Sequence, residues 1–331
     1  MQKRGILRVE DRRGAFLISQ GDQQRASYGL LLPPAGLNSA PLFPFRQMAV
    51  REILNYAMQH HALMEMLQVN DFEDMSAVDL REGGPFSPRT RGIISLFPFP
   101  HRNHGIVAPD RIPLVFQGSY IPDSLPVVTV DTFYGMYRLT RRMIELGHRQ
   151  IALIAPTPAY NTPPFLERTR GFETALRESS LDYDRELFER ARQMTFENLG
   201  EVVDLLREYP HITAWACLIP YPAQRLGMAA EALGWRVPED LSIISYGETA
   251  LSPSSEQRRV TSYGPDTEQV VRHCFDVLEE QQQLGRYTHN MVLVRPKFYD
   301  GDSLAAPRTT RLKIKEDGIN AVSREAYCYQ Q

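Results

Sequence analysis

The side chains best able to do chemistry are the histidines, the cysteines and the paired acids, and their spacing limits what that chemistry is. His60 and His61 are adjacent, and His101 and His104 are three apart in a proline-rich stretch. A metal site would need further ligands, and none lies nearby in sequence. The His101 and His104 pair therefore reads as solvent-facing loop residues. Cys217, Cys274 and Cys328 are odd in number and far apart, which supplies neither a metal-spaced pair nor a disulfide framework. The acid pair Glu279-Glu280 falls on a helix that reads as solvated. A phosphate-binding P-loop, a GxGxxG turn and a GxSxG nucleophile elbow are all missing. The sequence thus predicts no enzyme, no metal and no cofactor, although catalytic residues often converge only in the fold.

Bulk properties narrow the class further. The chain has 331 residues, and at roughly 150 residues per domain that suggests two domains. Lys plus Arg number 37 and Asp plus Glu 40, for a net charge of −3. Such a balance argues against a body that coats nucleic acid over its whole surface. The charge is uneven, however. Residues 1–30 hold six basic and three acidic side chains, hence +3, which leaves −6 on the rest. No apolar run approaches the ~20 residues of a membrane span, and residues 1–10 are basic without the apolar segment of a secretory signal. The expectation is a cytoplasmic protein with no membrane association.

The elements that would position side chains alternate between strand and helix. Residues 28–32, 63–69, 92–97, 113–117 and 127–130 are short apolar runs that read as buried strands. Apolar residues recur with helical period over 45–60 and over 132–146, and Gly147 ends the second helix. A strand at 151–155 follows. The alternation then repeats, with helices at 165–178, 196–209 and 223–233 and strands at 214–218 and 241–246. Pro265 fits the first turn of a long helix reaching 283, and 291–295 is a last strand. This predicts an α/β fold of two Rossmann-like lobes with parallel sheets, whose ligands bind beyond the carboxyl ends of the strands. Residues 308–331 are charged, lack apolar period and read as a flexible tail.

The most specific stretch is 128–176. It reads V-T-V-D-T-F-Y-G, then M-I-E-L-G-H-R-Q-I-A-L-I, then R-T-R-G-F-E-T-A-L. This resembles the effector-binding region of the LacI/GalR transcriptional regulators. Their pattern is V-x-x-D-N-x-x-G, then L-x-x-L-G-H-x-x-I-x-x-I, then R-x-x-G-F-x-x-A-L. Leu226-Gly227 and G-W-R-V-P-E-D-L-S-I-I at 234–244 match further family positions, and the resemblance spans about 27–307. It implies the type I fold of periplasmic sugar-binding proteins, two lobes joined by three crossover strands with a small ligand in the cleft. Carried over, the first lobe is 25–149 plus 262–287 and the second is 150–261 plus 288–307. The glycines and Pro238 sit at helix–strand joints, so these motifs are mainly structural.

The resemblance also implies binding residues. Arg168 occupies the arginine that in this family reaches the ligand, and its planar fork suits vicinal hydroxyls or a carboxylate. Ser95 and Tyr134 match two other ligand positions. Two departures matter. The usual N-D-x-x-A-L-G is here Tyr221-Pro222-Ala223-Gln224-Arg225-Leu226-Gly227, and the usual G-(F/Y)-D-(D/N) is Ser245-Tyr246-Gly247-Glu248. The missing Asn and Asp commonly bind sugar hydroxyls. Tyr221 could stack on a ring and Glu248 could supply a displaced carboxylate; alternatively the cleft serves an unusual ligand, or none.

At the start, residues 3–18 read as two short strands around a polar turn, either a plain hairpin leader or a linker. They are also similar to the wing that ends a GntR-type winged helix. On the wing reading, residues 1–24 are the remnant of a DNA-binding head, and Arg8, Arg12 and Arg13 are phosphate-contact candidates. The function implied is the ligand-sensing and dimerisation domain of a DNA-binding regulator. Its partners would be a sugar or polyol effector, operator DNA through an N-terminal head largely absent from this chain, and a second copy in a homodimer. A stand-alone sugar-binding protein is the alternative, and an enzyme on the same scaffold a third.

Overall fold

The computed structural model describes residues 7–10, 14–17, 25–32, 44–68, 86–96, 112–118, 126–155, 163–253, 257–286 and 291–308. Two strands at the start, β1 (Leu7–Glu10) and β2 (Gly14–Leu17), pair antiparallel with Leu7 opposite Leu17. The expected hairpin is thus present. The chain, hairpin included, clusters into two compact units. One comprises Met1–Gly135, Thr162–Glu167 and Gly264–Lys297, and the other Met136–Asn161, Arg168–Tyr263 and Phe298–Gln331.

The first unit is built on β3 (Ser27–Leu32), β4 (Leu63–Gln68), β5 (Thr90–Ser95), β6 (Leu114–Gln117), β7 (Val127–Val130) and β12 (Met291–Val294), ordered β12-β7-β6-β5-β3-β4 with every pair parallel. Central strands are apolar because helices cover both faces. Leu30, Ile94, Val115 and Val128 pack with Ile53 of α1 (Pro44–Gln59) and with Val271, Phe275 and Leu278 of α7 (Thr267–Leu284). A carboxylate is also buried in this unit. Glu65 on β4 accepts from Ser27 Oγ, from the Ser87 N–H at 2.7 Å and from Thr90 Oγ1 at 2.9 Å. It ties the starts of β3 and β5 to the edge strand.

The second unit holds β8 (Ile151–Ile154), β9 (Ala214–Cys217), β10 (Ser242–Tyr246), β11 (Thr261–Gly264) and β13 (Lys297–Tyr299), ordered β13-β11-β10-β9-β8. Its helices are α3 (Pro163–Glu178), α4 (Arg185–Gln193), α5 (Leu199–Glu208) and α6 (Pro220–Ala232). Trp215, Ile243 and Cys217 pack with Leu187, Leu205, Leu206 and Leu226 in one fully buried cluster. Helix α2 (Thr132–Glu145) connects the sheets. The chain crosses from sheet to sheet three times: after β7, after β11 and after β12.

Several expected boundaries move. Residues 262–264, assigned above to the first lobe, end a strand that pairs with β10 in the five-stranded sheet. Residues 291–294, assigned to the second lobe, pair with β7 in the six-stranded one, Met291 opposite Val127. Hydrogen-bond pairing decides membership here, and sequence order does not reveal it. Pro265 lies outside the long helix, whose cap is Asp266 accepting from the Gln269 N–H. Helix α4 was not expected, because it is strongly charged and buries only Leu187, Phe188 and Ala191. Residue 308 also departs from the flexible tail: the Arg308 guanidinium donates to the carbonyls of Asp240 and Pro210. The remainder of that tail lies outside the described residues.

The L-G-H-R joint is more than a turn. Gly147 takes φ 103°, open to glycine at little cost. The next residue, His148, is buried, with Nδ1 2.8 Å from Thr213 Oγ1 and Nε2 2.8 Å from the Ala305 carbonyl. A carbonyl only accepts, so Nε2 carries a proton and donates it there. Burial pushes its pKa below the usual histidine value. One ring thereby fastens the end of α2, the start of β9 and the C-terminal segment.

Candidate functional site

Arg168 is the most constrained of the expected residues. Helix α3 follows β8 and presents Arg168 from its second turn. The side chain is buried, Nη1 donates to the Leu218 carbonyl at 2.7 Å just past β9, and the guanidinium carbon sits 3.9 Å from the Tyr246 ring centroid. Tyr246 is the last residue of β10. The cation is therefore fixed at the carboxyl ends of two neighbouring parallel strands. Burial lowers its pKa to about 10, so it stays protonated at neutral pH. An aromatic face and a carbonyl thus hold the plane of this cation in one orientation.

The other expected residues of this unit play different parts. Tyr221 opens α6, is 40% exposed, and donates its hydroxyl to the Phe196 carbonyl at 3.2 Å. Its ring is held but reachable, as stacking requires. Glu248 is exposed and follows Gly247, which takes φ 103°. The Glu248 carboxylate lies 3.7 Å from Arg259 Nη2, so it is already engaged in an ion pair. Arg225 was missed by the sequence reading. It is buried, with Nε donating to Phe196 O at 2.8 Å and Nη2 to Glu197 O. Arg225 and Tyr221 thus share the Phe196 carbonyl, and Phe196 itself has φ 63°. Their spacing of four on a helix places them on one face, which was the available signal.

In the other unit, Ser95 ends β5 and is fully buried, in register with Leu31 of β3 and Phe116 of β6. Strand order reverses beside β3, since β4 lies on one side and β5 on the other. Such a switch point is where open parallel sheets take ligands. Tyr134 sits in the first turn of α2, where its N–H donates to Asp131 Oδ1 at 2.8 Å and Arg295 stacks on its ring at 4.9 Å. Ser95 and Tyr134 thus belong to one unit, and Arg168, Tyr221 and Glu248 to the other. Arg8 lies on β1, while Arg12, Arg13, His101, His104 and Cys328 fall outside the described residues.

Other chemistry finds little support among the described residues. No group of three or more His, Cys, Asp or Glu is placed to hold a metal ion. Cys217 and Cys274 are fully buried, and burial pushes both thiols far up, so neither is a ready thiolate. No helix is long and apolar enough to cross a membrane.

Comparison with known proteins agrees with this geometry. The family described as "Periplasmic binding protein-like domain" matches residues 140–304. The chain is 28% identical over 158 residues to the HTH-type transcriptional regulator CelR of Thermobifida fusca, covering 46% of this chain and 44% of that one. It is 27% identical over 175 residues to the HTH-type transcriptional repressor PurR of Yersinia pestis bv. Antiqua, covering 53% and 50%. The chain therefore spans about half the length of the curated relatives it matches. A solved sugar-binding transcriptional regulator of the LacI family from Escherichia coli, complexed with phosphate, superposes with a TM-score of 0.63 at 18% identity, over 85% of this chain and 99% of that one. Residues 140–304 thus match the periplasmic binding protein-like domain, and most of the chain shares the fold of that solved regulator.

Proposed function

We propose that this chain is the effector-sensing body of a transcription regulator. A small polar molecule, a sugar or a relative of one, binds at the carboxyl ends of the parallel strands, and its binding changes the affinity of the regulator for operator DNA. The observation that carries the reading is Arg168, a buried cation held by a carbonyl and a tyrosine face at the ends of β9 and β10. Ser95, Tyr134 and Tyr221 are proposed as further contacts. Glu248 would take part only by giving up Arg259. The relatives' names support the output: both are HTH-type transcription regulators.

On this reading the protein works in the cytoplasm as a homodimer. Its N-terminal hairpin lies on the DNA side, with Arg8, Arg12 and Arg13 contacting phosphates. Ligand and DNA are linked by a coupling free energy of about 1–3 kcal/mol. A thermal-shift screen of sugars, sugar phosphates and polyols tests the proposal. A compound that raises the melting temperature without being turned over is the expected result. Turnover of the compound would contradict it, as would a screen in which nothing stabilises the chain.

A further inference from the structure

Tyr221 and Arg225 depart from the N-D-x-x-A-L-G pattern together. Where that pattern has asparagine and alanine, this chain has tyrosine and arginine, four residues apart on α6. Both reach one atom. The Phe196 carbonyl, between α4 and α5, accepts from Arg225 Nε at 2.8 Å and from the Tyr221 hydroxyl at 3.2 Å. A carbonyl has two lone pairs and can serve both. The charged donor makes the shorter bond, so Arg225 fixes the carbonyl and Tyr221 follows it. Arg225 is buried and also donates through Nη2 to the next carbonyl, that of Glu197. An alanine at 225 could do neither. Phe196 needs such holding, since its φ of 63° is a backbone conformation that L-residues rarely adopt.

The tether decides what Tyr221 can offer. Its hydroxyl proton is committed to the Phe196 carbonyl, while its ring remains partly exposed. A ligand therefore meets a pre-ordered aromatic face and not a free donor, and much of the ordering cost is already met. Leu218, whose carbonyl receives Arg168, lies three residues before Tyr221, so cation and ring both border the carboxyl end of β9. The apolar CH face of a sugar ring packs on such a surface, and a flexible chain of hydroxyls packs on it poorly. We infer that Arg225 is a positioning residue for Tyr221, and that the two select an effector with a closed sugar ring over an open-chain polyol. This rests on the proposal that Tyr221 touches the effector.

Calorimetric titration of the full chain with ribose, xylose, glucose and galactose, each beside its open-chain alditol, tests the inference. At least one sugar is expected to bind about tenfold or more tighter than its alditol. Tyr221→Phe keeps the ring and cuts only the tether of an exposed side chain. It should melt close to wild type and bind that sugar roughly three- to tenfold more weakly. Arg225→Met should weaken binding by a similar factor, with no further effect once Tyr221→Ala has removed the ring. Arg225→Lys keeps a donor and should restore part of the affinity. An alditol bound as tightly as its sugar overturns the inference, as does full affinity in Tyr221→Phe. Equal weakening by Arg225→Met with and without the Tyr221 ring overturns it too, because a residue that only supports the fold would act in both. Should Arg225→Met fail to fold, Tyr221→Phe decides alone. If an alditol binds as well as its sugar and is lost in Arg168→Ala, effector binding itself still stands. Failure of every compound to bind overturns both.

Discussion

The guanidinium of Arg168 rests 3.9 Å above the Tyr246 ring while Nη1 donates to the Leu218 carbonyl. Two neighbouring strands thus hold one cation by two different forces. Lysine has the charge but no planar fork, so it can serve the carbonyl or a ligand but not both in one fixed plane. Arg168→Lys is therefore expected to fold and to lose ligand affinity by about tenfold or more, at a stability cost of about 1–2 kcal/mol. Thermal melts and titrations on the same preparation check this. Full affinity in Arg168→Lys would show that charge alone matters.

His148 gives stability a pH dependence whose sign follows from its lowered pKa. The folded state holds the ring neutral, whereas the unfolded chain protonates it near the ordinary value of about 6.5. The stabilisation is full above that value and is lost as the pH falls toward the lower folded pKa. Denaturation at several pH values should show wild type weakening below about pH 6.5. His148→Gln should be less stable at neutral pH and should have lost this part of the slope. An unchanged slope would mean that other groups carry it.

The Glu65 carboxylate gathers donors from Ser27, Ser87 and Thr90. Glu65→Ala leaves the buried Ser27 hydroxyl and the half-buried Ser87 and Thr90 donors without this acceptor, and a loss of about 2–4 kcal/mol is expected. Glu65→Gln keeps acceptor capacity and should lose less. Denaturant melts compare the two, and equal losses would show that geometry, not hydrogen bonding, is responsible.

Gly227 lies where α6 meets the loop after β10. A Cβ there would fall 2.1 Å from the Leu251 carbonyl oxygen, which is backbone and can yield only if the loop shifts. Gly227→Ala is expected to destabilise the chain by about 3 kcal/mol, more than the roughly 1 kcal/mol that helix propensity would gain. A variant as stable as wild type would show that the loop gives way freely.

Much of this architecture was legible because buried parallel strands announce themselves as short apolar runs. Residues 127–130 and 151–154 are found where their sequence placed them. Arg168 was legible through its place in R-T-R-G-F, and its burial agrees with a role beyond the surface. What escaped depends on partners distant in sequence. Met291 reads as a strand residue, yet only its pairing with Val127 says which sheet it joins. The engagement of Glu248 by Arg259 depends on a loop returning beside β10, where Ala250 bridges Arg259. Arg225 and His148 were hidden because their acceptors are backbone carbonyls, which every residue has and no motif displays.

The central claim is that the carboxyl ends of these strands receive a small effector through Arg168. Its most direct test is isothermal titration of the compound that most stabilises the chain, against wild type and Arg168→Ala in parallel. The account expects saturable binding to wild type, and a loss of about a hundredfold or more in the variant while its fold remains intact by circular dichroism. Equal affinity in the two proteins would contradict it.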